Sequence, residues 1–339
     1  MECAMRVTIK DVAAKAGVST ATVSLVLNDA TGTRIPERTA VKVRAAAEAL
    51  GYTSSALASG LRRQVSSIVG LISDEIATTP YAVRMIEAAG DVCRQTGNLL
   101  MLVNTGDDVE VERDAVRALR QHHVDRFVYA CMHHKLVELP DGLATGTVIL
   151  DGYEVSGTVP AVVPDEFQGA YDAVRELVDH GHTRIALLSD SDESAAEPLR
   201  RAAYLSALDD AGIELDPALV VRALALPGAA EAATYELWES AAPTAIFCYN
   251  DRMAVGAYRA LRRLGLSIPD DVSVVGFDNM EIIAPELDPP LTSVQLPHYE
   301  MGLWALRRLL GLSVEDEGPW PYRMPCPLVR RQSVGPPRG

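Results

Sequence analysis

Apolar residues in the first fifty positions recur at helical spacing. Ile9, Val12, Ala13 and Ala16 make one stripe, and Val23, Val26 and Leu27 make a second. Thr8 followed by Asp11 has the form of a capping box, Gly17 stops the first helix, and Ser19 caps the next. Pro36 and Glu37 open a third helix whose apolar positions are Val41, Val43, Ala47 and Leu50, and Gly51 ends it. Ala13 is small enough for the second helix to cross close by. This spacing predicts a helix-turn-helix in a small three-helix core, with an ordinary helical hairpin as the alternative.

From Ser67 the pattern changes to short apolar runs alternating with amphipathic stretches. Strands are predicted over 68–72, 99–103, 126–130, 147–150 and 161–163, then over 184–188, 219–224, 244–248 and 272–277. Helices are predicted over 82–95, 109–122, 170–180, 199–211, 229–240 and 253–264. Alternation of this kind implies parallel sheets covered on both faces. The strands are too many for one sheet, so two successive α/β lobes are expected, with a ligand cleft at the carboxyl ends of the strands.

Polar residues gather at those ends. Asp74 follows the first strand, Tyr81 lies on the loop before the next helix, and Asp165 follows the 161–163 run. Arg200 opens a helix, and Asn250 and Asp278 each end a strand. Such a set suits a polar ligand with several hydroxyls, although each acid taken alone reads equally well as a helix cap or turn residue.

The net charge of −15 argues against nucleic acid until its distribution is considered. Residues 1–63 hold nine Lys/Arg against five acids, while the remainder holds 22 against 41. A basic head on an acidic body suits a DNA reader. The five cysteines are scattered without CxxC spacing and read as reduced thiols in a cytoplasmic protein. No run of eighteen apolar residues suggests a membrane span, and the start lacks the apolar core of a signal peptide. The adjacent pairs His122–His123 and His133–His134 lack companions at metal-ligand spacing, and Asp190, Asp192 and Glu193 lack the rest of an EF-hand. Neither a P-loop, GxGxxG nor GxSxG is present, so neither a cofactor nor an enzymatic activity is expected.

The segment 7–28, with Glu48–Tyr52 after it, resembles the head of the lactose-repressor (LacI/GalR) family of bacterial transcription regulators. The likeness extends over the body through segments 181–186, 200–204, 249–256, 268–279 and 290–295. It implies an all-α, lambda-repressor-like helix-turn-helix head over 6–52 and a hinge segment over 53–64. A two-lobed α/β effector core of the periplasmic-binding-protein type would span 65–332. Lobe one would take about 65–162 plus 292–320, and lobe two about 163–291 plus 321–332.

In that family the second helix lies in the major groove. Thr20, Ala21 and Leu25 would face the bases, while Ser19, Thr22, Ser24 and Asn28 approach the backbone, with Thr8 also on the DNA side. Many members carry Arg where this chain has Leu25, which offers only apolar contact, for instance with a thymine methyl. In the hinge, Leu61 matches the minor-groove wedge, Ala58 faces the partner helix and Arg62 attracts phosphate. Gly60 lowers helix propensity there by roughly 1 kcal/mol against Ala, which fits a helix formed only on DNA. A plain linker is the alternative. The resemblance places the effector contacts at Tyr81, Asp165, Arg200, Asn250 and Asp278, with Asp74 beside them.

A homodimer on double-stranded operator DNA is therefore expected, controlled by a small effector of the sugar type. A corepressor-dependent member with a nucleobase or nucleoside ligand is the alternative. The C-terminal segment has no leucine heptad, which favours a dimer over a tetramer. A transport solute-binding protein would predict a signal peptide and no basic head.

Overall fold

The computed structural model describes residues 7–27, 35–52, 67–76, 83–143, 145–192, 194–312 and 319–338. The chain divides into two compact units, residues 1–68 and 69–339.

In the first unit, α1 (Ile9–Ala16), α2 (Thr20–Leu27) and α3 (Glu37–Ala49) enclose a core of small aliphatic side chains. The N–H and the hydroxyl of Thr8 both donate to Asp11 Oδ2 at 2.7 Å, so the acid reaches back over the helix start. Gly17 takes φ +68°, the left-handed conformation that ends α1 and turns the chain. Ser19 Oγ then accepts the N–H of Thr22 at 3.1 Å and caps α2. Val12, Val23 and Val43 are fully buried. Val41, expected in the core, is instead 56% exposed. The inward face of α3 runs Ala40, Val43, Ala47, and Val41 lies about 100° round the helix from Ala40.

The second unit contains two six-stranded sheets. Its chain runs β1 (Ile68–Ser73), α4 (Val83–Thr96), β2 (Leu99–Asn104), α5 (Val109–Gln121), β3 (Arg126–Leu136), β4 (Thr147–Tyr153) and β5 (Ala161–Pro164). It continues through α6 (Glu166–Asp179), β6 (Ile185–Asp190), α7 (Ala196–Asp210), β7 (Val220–Ala223), α8 (Pro227–Ala241), β8 (Ala245–Cys248), α9 (Asp251–Arg263) and β9 (Ser273–Asp278). Then follow β10 (Thr292–Gln295), α10 (His298–Leu309), β11 (Tyr322–Met324) and β12 (Leu328–Val329).

The first sheet has strand order β11-β5-β4-β3-β1-β2 and the second β12-β10-β9-β8-β6-β7. The order reverses beside β1 and β3 in one and beside β6 and β8 in the other. At such switch points the helices leave on opposite faces and open a crevice outside the carboxyl ends of the strands. Apolar cores line the sheets, and α4 packs with α10 over the first.

Three connections pass between the lobes: Pro164 to Glu166, Gln295 to His298, and Met324 to Leu328. They are tied side by side, since the Asp165 N–H donates to Met324 O and the Gln295 N–H to Pro327 O, both at 2.8 Å. These crossings correct the lobe limits expected from sequence. Residues 292–295 belong to the second lobe, where β10 pairs in parallel with β9. Residues 322–324 belong to the first, where β11 pairs with β5. The chain completes each strand before crossing, so the crossover follows the strand. β3 also runs beyond the expected 126–130 to Leu136, with a register irregularity between Ala130 and Lys135.

Candidate functional sites

On the head, Thr20 and Ala21 are exposed at the start of α2, while Thr22 is half-buried and its hydroxyl is hydrogen-bonded to that of Ser19 at 2.9 Å. Leu25 is half-buried. Ser24, expected near the DNA backbone, is only 9% exposed. The exposed surface of α2 is thus short and lightly functionalised. Asn28, Ala58, Leu61 and Arg62 lie outside the described residues, as does Tyr81.

In the second unit a cavity of about 380 Å³ lies where the strand ends of the two lobes meet. The first lobe supplies His133 and His134 from β3 and Asp151 from β4, and the second supplies Glu166, Arg200 and Asp278. Tyr249, Asn250 and the crossover residue His298 complete this part of the wall.

Arg200 organises the second-lobe side. It is 4% exposed, and its Nε donates to Glu166 Oε2 at 2.7 Å. A terminal nitrogen donates to the Tyr249 carbonyl and stands 3.8 Å from Asp278 Oδ1. The guanidinium carbon lies 3.6 Å from the Phe277 ring centroid and 4.5 Å from that of Tyr249. Burial works against its charge, but the carboxyl groups of Glu166 and Asp278, with Tyr249 beside them, outweigh burial and hold the pKa of Arg200 above its usual value. Asp278, at φ +101°, sits in a backbone region L-residues rarely enter. Burial pushes its carboxyl well above the usual range, against the pull of Arg200.

The first-lobe side is different in kind. Asp151 is 3% exposed and His134 5%, and neither Asp151 Oδ1 nor His134 Nδ1 has a hydrogen-bond partner. Burial, with the charges of Glu166 and Asp74 behind it, raises the pKa of Asp151 well above its ordinary value. Burial lowers that of His134. Buried polar atoms are nearly always paired, so these two stand out among the residues that line the cavity.

The structure therefore brings Arg200, Asn250 and Asp278 to one cavity, although Asn250 also caps α9 by accepting the Met253 N–H at 2.9 Å. Asp165 and Asp74 are placed elsewhere. Asp165 does not line the cavity; it accepts the Gln168 N–H at 3.1 Å and caps α6. Asp74 is buried on the first lobe, 2.8 Å from Lys135 Nζ and accepting the N–H groups of Glu75 and Met132. Burial raises its pKa, but Lys135 and those N–H groups outweigh it and hold the carboxyl below its usual value.

Sequence reasoning passed over Glu166, His134 and Asp151. The signal for Asp151 was present, because it directly follows the apolar run 147–150 as the other strand-end acids follow theirs. Among the described residues no cluster of three His, Cys, Asp or Glu is placed to hold a metal ion, and no helix is long and apolar enough to cross a membrane.

Comparison with known proteins decides the class. Residues 8–55 match the family described as bacterial regulatory proteins, lacI family, and residues 174–334 match a periplasmic binding protein-like domain. The chain is 36% identical to the HTH-type transcriptional repressor PurR of Vibrio vulnificus over 309 residues, covering 89% of this chain and 91% of the relative. The chain belongs to the lacI family of bacterial regulators. It is 33% identical to the HTH-type transcriptional regulator RegA of Clostridium saccharobutylicum, over 97% of this chain and all of that one.

Among solved structures it is similar to the Lac repressor dimer bound to operator and the anti-inducer ONPF. There the TM-score is 0.78 at 27% identity, over 97% of this chain and 99% of that one. A LacI-family regulator of Enterococcus faecium with bound ribose matches at TM-score 0.62 and 26% identity, over 80% of this chain and all of that one. As a family member the chain is a DNA-binding transcriptional repressor with an effector domain, and not an enzyme.

Proposed function

We propose that the chain binds a near-palindromic operator as a dimer and that a small, hydroxyl-rich effector of the sugar class in the interlobe cavity sets its operator affinity. The observation that carries this is the pairing of opposites across the cavity. The second lobe presents the preorganised Glu166–Arg200–Asp278 group, and the first presents the buried Asp151 and His134, each with one polar atom that lacks a hydrogen-bond partner. A ligand held by both walls contacts both lobes, and so favours one angle between them. In a dimer that angle sets the spacing of the two segments leading to the heads, and thereby the fit to two half-sites. The coupling is reciprocal: operator changes effector affinity by the factor with which effector changes operator affinity.

On the DNA, Thr20, Ala21 and Leu25 read the major groove lightly. Leu61 and the paired segments around it add discrimination through the deformability of the central base steps. The test is fluorescence anisotropy with DNA from upstream of the chain's own gene, with and without sugars. Binding that changes with a sugar supports the reading; absence of binding under every condition ends it. A nucleobase corepressor is the second reading, favoured by the likeness to repressors named PurR. Binding that requires a purine base, with sugars inert, would establish it instead.

A further inference from the structure

The cavity contains more acid than the protein neutralises. Among its described lining residues are five carboxylates: those of Asp151, Glu166, Asp190 and Asp278, which are buried or nearly so, and that of Asp192, which is exposed. Against them stand two guanidiniums, Arg200 and Arg252, and three histidines. Arg200 is already engaged by Glu166 and Asp278. Among the described residues Asp190 Oδ1 accepts the N–H of Asp192, at 3.2 Å. On the opposite wall Asp151 is buried with an unpartnered oxygen, and His134 on the neighbouring strand has an unpartnered ring nitrogen.

A surplus of buried carboxylates is costly unless the acids hold protons or a cation joins them. The free protein takes the first course at Asp151, whose burial favours the protonated form. A neutral hydroxyl entering the cavity would satisfy one oxygen and leave the surplus of acid unchanged. An ammonium group brings three N–H donors and a full positive charge, and a charge-assisted bond to a carboxylate is about twice as strong as a neutral one.

We propose that the effector is an amino sugar, its ammonium seated on Asp151 with the His134 ring nitrogen accepting a second N–H, and its hydroxyls turned to the Glu166–Arg200–Asp278 wall. On binding, the Asp151 carboxyl loses its proton to solvent and pairs with the ammonium. No covalent bond to the ligand forms or breaks. The proposal rests on the reading of the cavity as a sugar-class effector site and narrows that class.

The experiment uses the full chain and three matched sets of probes: glucosamine, galactosamine and mannosamine, their parent hexoses, and their N-acetyl derivatives. Acetylation keeps the nitrogen and removes the charge. Adenine, guanine and hypoxanthine serve as the nucleobase arm. Thermal shift ranks the compounds and calorimetric titration gives affinities. At least one hexosamine is expected to bind ten-fold or more tightly than both its hexose and its N-acetyl form, and to weaken on raising salt. The Asp151→Asn variant, folded by circular dichroism, should lose that preference. Equal or tighter binding of a neutral hexose or an N-acetyl form overturns the amine while leaving the sugar-class cleft intact. Binding of the nucleobases alone overturns the amine and transfers the cleft to the second reading. If none of the compounds binds, both the amine and the sugar class fall.

Discussion

Arg200→Met is the substitution for which the structure makes the largest definite demand. Methionine keeps most of the apolar contact with the Phe277 and Tyr249 rings and removes the guanidinium. The hydrogen bonds to Glu166 and the Tyr249 carbonyl are lost, and so is the neighbouring positive charge at Asp278. The Glu166 side chain is 3% exposed and that of Asp278 12%, so water cannot replace what is removed. Breaking one side of a buried ion pair costs about 3–5 kcal/mol, chiefly through the charge left behind. At roughly 2 °C per kcal/mol for a unit of this size, the melting temperature should fall by about 6–10 °C.

The remedy follows from the same reasoning. Adding Glu166→Gln removes the stranded charge, and the double variant should recover at least half the loss, a non-additivity expected of residues in contact. Urea unfolding at pH 7 measures all three proteins. Trp238, Trp304 and Trp320 all lie in the second unit, so tryptophan fluorescence follows that unit alone. A single variant within about 1 kcal/mol of the parent would refute the claim that Arg200 neutralises buried acid. So would a double variant as unstable as the single one.

Asp251 is fully buried, with Ser293 donating to Oδ1 at 2.5 Å and the Met280 N–H to Oδ2 at 2.6 Å, and burial raises its pKa to about 7 from the ordinary 3.8. The folded state therefore holds this proton more tightly, and stability should fall as pH rises from about 4 to 7 and level off above. Asp251→Asn should flatten part of that slope in denaturation at pH 5 and pH 8; an unchanged slope would assign it to other groups. Gly302 sits where α10 meets α4, and a Cβ there would lie 2.7 Å from Met85 O and 2.8 Å from Ala88 Cβ. Gly302→Ala should cost about 1–3 kcal/mol in urea unfolding, and an unaltered midpoint would show that the helices separate freely. Gly17→Ala meets no atom within 4 Å, so only its φ of +68° is at issue. The head should lose about 1 kcal/mol, read as earlier melting of operator binding, whereas Gly17→Asn should lose less.

How much could be read from the chain before its structure depends on the range of the interactions involved. Gly17 and Ser19 act within four residues, so the turn between α1 and α2 was legible from local rules. The alternation of the body was legible for the same reason, since each strand or helix carries its own period. Val41 was misplaced because i, i+3, i+7 spacing admits more than one phase on a short helix, and only packing chooses between Ala40 and Val41. The lobe limits required knowing where a strand ends its pairing before the chain crosses, and that is set by partners far away in sequence. Lys135 reaches Asp74 only because β3 continues past Ala130, where the apolar pattern breaks.

The cavity shows the same division at finer scale. Asp165 and Glu166 are adjacent, follow the same strand and are both acids. The first is at the N-cap, where its carboxylate folds back to its own helix at Gln168; the second is one residue further on and faces Arg200. Composition cannot separate them, but helix geometry does. The same test applied to the remaining acids sorts them by what the protein has already paired. Asp165 is satisfied by a helix and Asp74 by a lysine, while Glu166 and Asp278 share an arginine. Asp151 alone among these carboxylates keeps a buried oxygen without a hydrogen-bond partner. A ligand gains most by binding the group that the fold has desolvated and left without a partner, because the desolvation cost is already met. The strongest claim on the effector therefore belongs to Asp151, and Arg200, the most conspicuous side chain in the cleft, serves first to hold the acids around it.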